Sequence, residues 1–131
     1  MRRRLFTLAG IALALALLAG CGGSGYSQTV DTASYRVQLS LDGVDFGQRT
    51  ATITVQDKSG GPATVDGVMV APIMEAMGMA APEQAATPLG AGRYQAQGEF
   101  FSMIGEWEFD VRVTAGGKDE LARFKVPVNQ Q

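Results

Sequence analysis

The chain has 131 residues, with 11 Lys plus Arg against 13 Asp plus Glu, a net charge of −2. That balance excludes the basic footprint of a nucleic-acid binder, and the length suits one domain around one core. Histidine is absent and Cys21 is the only cysteine, so the commonest general base and metal ligand is missing and no internal disulfide can form.

Arg2, Arg3 and Arg4 open the chain, and an uncharged apolar run follows from Leu5 to Ala19. A helical membrane span needs about 20 apolar residues, so this run is short for a crossing and fits the h-region of an export signal. It ends in Leu18-Ala19-Gly20-Cys21, a quartet that resembles the lipobox of bacterial lipoproteins. The resemblance implies a signal peptide over 1–20, cleavage before Cys21, a diacylglyceryl group on its thiol and an acyl chain such as palmitate on the new amino group. Two or more chains anchor stably, since each buried CH2 contributes about 0.8 kcal/mol. Lipidation also accounts for a lone thiol on an exported chain; an ordinary signal peptide with an incidental cysteine is the alternative. Arg3-Arg4-Leu5-Phe6 weakly resembles a twin-arginine signal, while the Leu-rich h-region favours the general secretory route. Gly22, and no aspartate, follows the cysteine, so the periplasmic face of the outer membrane is expected in a Gram-negative cell. Loss of the three leader arginines leaves 8 basic residues against 13 acidic ones, a mature net charge of −5.

Gly22-Gly23-Ser24-Gly25 reads as a flexible tether, expected with the lipidated Cys21 to fill 21–34, ahead of one domain over 35–131. From Ser34 to Leu41 apolar and polar residues alternate, the period of a half-buried strand, and Asp42-Gly43 is a turn signal. Arg49 to Gln56 alternates again, and Asp57 to Pro62 is a loop. Ala63 to Ala71 is a further strand, with Gly67 at a bulge. From Pro72 to Gly92 the pattern breaks into a long connection with one helical turn over Pro72–Met77. Gly90-Ala91-Gly92 turns the chain into Arg93–Phe101. Gly105–Ala115 is the clearest strand: Trp107, Phe109, Val111 and Val113 face one way, Glu106, Glu108, Asp110 and Arg112 the other. Gly116-Gly117 is a hairpin turn, and Leu121–Val128 closes the domain at a sheet edge, because Pro127 cannot donate to a ladder. The fold expected is all-β: an immunoglobulin-like antiparallel β-sandwich of about seven strands behind the signal and tether.

Several of these residues carry a family resemblance. They are the strand around Tyr35–Leu41, Ile53-Thr54-Val55 before a Gly-Gly-Pro loop, Met74 with Met77-Gly78-Met79, Gly92-Arg93-Tyr94, and Met103-Ile104-Gly105-Glu106-Trp107 leading into Phe109–Val113. From Tyr35 to Val128 the chain resembles the YtkA-like group of small exported domains, related in pattern to FixH-like proteins. The resemblance implies an immunoglobulin-like fold and an association with copper handling at the cell envelope. Where such domains often carry histidine near the Met-Gly segment, this chain has Met79, which departs from a Cu(II)-type site and leaves a thioether one.

The methionines after the leader are Met69, Met74, Met77, Met79 and Met103. Thioether sulfur is soft and selects Cu(I) over hard cations. Met77 and Met79 share a side if their segment is extended, Met74 and Met77 if it is helical, and Met103 joins from a neighbouring loop. Packing alone is the competing account, because methionine fills irregular core gaps. A partner-docking surface on the Met-rich 72–92 segment is the third. Glu106 and Glu108 are neighbours on one strand face and could do acid–base work if burial separated their pKa values, but they share that face with Asp110 and Arg112 and read as solvated sheet surface. Trp107 reads as the core tryptophan, with lining of a ligand groove as its second role. No histidine is present to activate a serine. The expectation is an envelope lipoprotein without catalysis, bound to the membrane through lipid. It acts as an accessory module that binds Cu(I) through Met74, Met77, Met79 and Met103, or docks an envelope protein without metal.

Overall fold

The computed structural model describes residues 25–129. The leader, Cys21 and Gly22–Ser24 lie outside them. The strands, in chain order, are β1 (Tyr26–Asp31), β2 (Tyr35–Leu41), β3 (Arg49–Asp57), β4 (Gly67–Met74), β5 (Met79–Ala80), β6 (Gln84–Ala85), β7 (Thr87–Gly90), β8 (Arg93–Gly98), β9 (Gly105–Ala115) and β10 (Lys118–Val128). Burial alternates where apolarity alternates, as the pleat requires. Val37, Leu39 and Leu41 of β2, Ala51, Ile53 and Val55 of β3, and Trp107, Phe109, Val111 and Val113 of β9 all turn inward. So do Ala122, Phe124, Val126 and Val128 of β10.

The strands form two antiparallel sheets, β1-β2-β3-β8-β7 and β10-β9-β4-β5, with β6 also pairing β4. Without β1 and the two-residue strands, the order is β2-β3-β8-β7 against β10-β9-β4. That is the four-against-three arrangement of an immunoglobulin constant-type sandwich. It differs in two respects: no cysteine pair joins the sheets, and the tryptophan sits on β9. Aromatic rings fill that place. Phe100 meets Phe109 edge-on at 5.2 Å, and Phe101 meets Trp107 at 5.7 Å. Such pairs add about 0.5–1.5 kcal/mol each beyond area burial. Pro127 lies on the edge strand β10, as its missing N–H requires.

Three local features differ from the sequence reading. Pairing begins at Tyr26, so residues 26–31 are strand where a tether was expected to reach Ser34. The strand survives on few apolar contacts because its polar groups find partners. The Tyr26 hydroxyl donates to the Lys125 carbonyl at 2.8 Å, Ser27 meets Ser40 at 3.3 Å, and Arg36 pairs with Asp31 at 3.1 Å. The strand expected over Ala63–Ala71 is shifted to Gly67–Met74, and Gly67 opens it in regular register with Thr114 instead of forming a bulge. Pro72 is accommodated because the outer side of β4 there lies between the short strands β5 and β6, where its carbonyl accepts from Ala81 N–H at 3.0 Å. The 72–92 connection contains a 3-10 turn at Glu75–Met77 followed by β5, β6 and β7 along the sheet edges. Arg112 holds it down by donating to Glu83 at 2.9 Å.

One end of the sandwich gathers five segments. Tyr26 pairs with Leu41 there, Arg49 with Gly98, and Gly105 with Val128. The loops 42–48 and 99–104 and the turn 75–78 therefore lie at the end where the chain enters β1. Asn129 N–H donates to the Val44 carbonyl at 3.0 Å and ties the last strand to the first of these loops.

Candidate functional site

Met74 ends β4 facing inward, with only 3% of its surface exposed. The chain then makes its 3-10 turn, and Gly78 takes a left-handed conformation (φ 63°) whose N–H donates back to the Glu75 carbonyl at 3.0 Å. Glycine takes this conformation without steric cost. The reversal brings Met79 directly opposite Met74 in the β4–β5 ladder. Opposed residues of an antiparallel pair share a face, with Cβ atoms about 4.5–5.5 Å apart. The segment is therefore neither continuously helical nor extended: a tight reversal pairs Met74 with Met79.

Met103 precedes β9 and packs half-buried against the core, and its carbonyl accepts the Trp107 indole N–H at 3.0 Å. The link from β9 to Met74 is close. Gly105 has φ 139°, and a Cβ there would lie 3.0 Å from the Met74 methyl. Met77 stands apart on the 3-10 turn, 57% exposed. Met69 lies on the opposite face of β4 from the buried Val68 and Val70 and pairs with Arg112. Of the four candidate ligands, then, Met74 and Met79 are in register, Met103 lies beside the same strand end, and Met77 is at the rim. Sequence reasoning missed Gly105, although a glycine leading directly into an apolar strand signals close approach.

Met74 and Met79 face each other in the ladder, and Met103 stands in the loop leading into β9 at the same end; thioether sulfur is a soft donor, suited to Cu(I) and poor for hard cations. Among the described residues no group of three or more His, Cys, Asp or Glu is placed to hold a metal. Nearby, Glu75, Ala76, Glu106, Trp107, Glu108 and Lys125 line an open pocket of about 170 Å³. Trp107 is thus both core and lining. Two of these carboxylates share a cation: Arg123 lies 3.3 Å from Glu108 and 3.6 Å from Glu75, and it also grips Asp110 at 2.8 and 3.0 Å. The Asp110 hydrogen bonds push the Arg123 guanidinium further up from its usual range.

The same end exposes Phe46 in the 42–48 loop and Ile104 beside Met103. Arg49 shapes the first loop by donating to the Phe46 carbonyl at 2.9 Å and pairing with Asp45 at 2.7 Å.

A family model described as YtkA-like matches residues 29–112. The match spans β2 through most of β9 and includes Met74, Met77, Met79 and Met103. No curated protein matches, and no solved structure does.

Proposed function

This chain belongs to the YtkA-like family, and from that premise we propose that it is an exported binding module without catalysis of its own, held on a bacterial membrane by lipid on Cys21, that takes Cu(I) between Met74, Met79 and Met103. The observation that carries the metal reading is the Met74–Met79 register beside Gly105. Cu(I) is satisfied by few, soft ligands, and thioethers supply them without histidine. A half-open site suits a module that accepts and releases its ion. Met77, at the rim, can serve as an entry ligand. The lipid reading rests on Leu18-Ala19-Gly20-Cys21, outside the described residues.

An anaerobic titration of residues 22–131 against a coloured Cu(I) chelator tests the metal reading, with the Cys21 thiol removed so that it cannot compete. The native domain should take a single equivalent. A variant with Met74→Leu, Met79→Leu and Met103→Leu should take none, and Met69→Leu should bind like the native chain. No uptake by the native domain refutes the metal reading. A second reading, docking of an envelope protein through the 72–92 segment without metal, is favoured by the exposed Met77, Met79 and Leu89 there. It predicts retention of a partner by the triple variant as well.

A further inference from the structure

Phe46, Met77, Met79 and Ile104 are four of the six large apolar residues exposed among the described residues. They come from three loops and the start of β5, far apart in sequence, yet all lie at one end of the sandwich. Ile104 is about half exposed, and Phe46 is presented by a loop that Arg49 braces from beneath. Leaving such residues in water on several independent loops is costly unless something covers them. The opposite end presents Lys118 and Asp119 at the Gly116-Gly117 hairpin, and the other two exposed apolar residues, Leu89 and Leu121, lie toward it singly on different strands.

The chain enters the domain at this same end. Tyr26 opens β1, and Cys21 precedes it by so few residues that the intervening chain spans at most about 18 Å when fully extended. The hairpin tip at Lys118 lies a whole strand length away, about 33 Å along β9. A lipid on Cys21 therefore holds the apolar loops next to the bilayer and the hairpin away from it. We propose that Phe46, Met77, Met79 and Ile104 form a crown that inserts into the bilayer interface, so that the domain stands upright on its own membrane. The inference rests on the lipid-anchor reading; it shares Met77 and Met79 with the copper reading, and its test is made without copper. The crown is rimmed by Asp42, Glu75, Glu99 and Glu106, with Asp45 paired to Arg49. An acidic rim disfavours anionic headgroups, so the matching surface is a neutral lipid one, entered to the interfacial depth of about 5–10 Å typical of such apolar faces.

The test uses the mature, full chain purified with its own lipid and reconstituted into vesicles of phosphatidylethanolamine and phosphatidylcholine. Lipidation consumes the only thiol, so Met77→Cys, Ile104→Cys and Lys118→Cys each give a single site for a nitroxide label, all at exposed positions. Labels at 77 and 104 should lose access to a water-soluble nickel chelate and gain access to oxygen, while the label at 118 remains fully open to nickel. An acylated chain whose three labels are equally open to nickel overturns the crown and leaves the anchor standing. A mature mass without added lipid on Cys21 overturns both. Labels protected in native membranes but open in the pure-lipid vesicles assign the crown to a protein partner and overturn it as a lipid contact.

Discussion

Replacing Arg123 by methionine keeps most of the aliphatic stem and removes the cation that three carboxylates share. Asp110 is the one that suffers. Its side chain is 10% exposed, and both of its oxygens accept from Arg123, at 2.8 and 3.0 Å. Breaking a fully buried pair costs about 3–5 kcal/mol, while a single lost hydrogen bond to a charged group costs about 1.5–3 kcal/mol. Arg123 itself is 44% exposed, so water can reach part of the gap, and the lower range applies. About 2–3 kcal/mol, at about 4–8 °C per kcal/mol for a domain near this size, is a fall in melting temperature of about 8–24 °C. Thermal unfolding followed by circular dichroism measures it. Adding Asp110→Asn to Arg123→Met should recover much of the loss, because an uncharged amide tolerates the site better than an orphaned carboxylate. The solvated Arg36–Asp31 pair is the control, since exposed ion pairs contribute little. If Arg123→Met melts no earlier than Arg36→Met, the account of Asp110 as a buried, dependent charge is wrong.

Gly105→Ala combines a left-handed φ with a clash against the Met74 methyl and should cost about 1–3 kcal/mol, read as a lower urea midpoint; Met74→Ala in the same chain should relieve the clash but not the backbone strain. Phe109→Ala removes a fully buried ring at the centre of the aromatic group. At about 3–5 kcal/mol it should consume much of the domain's stability, and Phe109→Leu should give a smaller, measurable loss. Ser59 and the amides of Gly61 and Ser59 hold the Asp57 carboxyl below its ordinary 3.8. A depressed carboxyl contributes stability that is present above that value and drains away as pH falls through the folded-state value. Asp57→Asn, which can still accept in the turn but carries no charge, should therefore be less stable than the parent at neutral pH, with the gap closing in acid titrations below about pH 4.

Period-two alternation identified the strong strands from the residues alone, because in a sandwich each inward position must be apolar whatever its partner. β1 escaped that reading because Tyr26 and Val30 are its only apolar residues, and its register depends on hydroxyl and ion-pair partners on other strands. β5 and β6 are too short to show any period; they exist because the edge of β4 offers unpaired groups. For the candidate site, the sequence exposed the methionines as donors but could not pair them. Pairing depends on Gly78 reversing the chain after a single 3-10 turn, where a regular helix or strand would have joined Met77 to Met74 or to Met79. The apolar end was invisible for a different reason: Phe46, Met77 and Ile104 meet only through the strand order.

β1 is an outer strand, and under the lipid-anchored reading the membrane pulls on its first residue. A load drawn from the membrane at Tyr26 runs along β1, so the rungs from Tyr26–Leu41 to Asp31–Arg36 share it in shear. The Tyr26 hydroxyl on the Lys125 carbonyl adds a tie to the last strand. Once β1 slips, β2, whose inward residues are buried, stays in place, and residues 26–34 become slack, about 30 Å when fully drawn out. Under that reading, yielding of β1 lengthens the leash while the core stays folded.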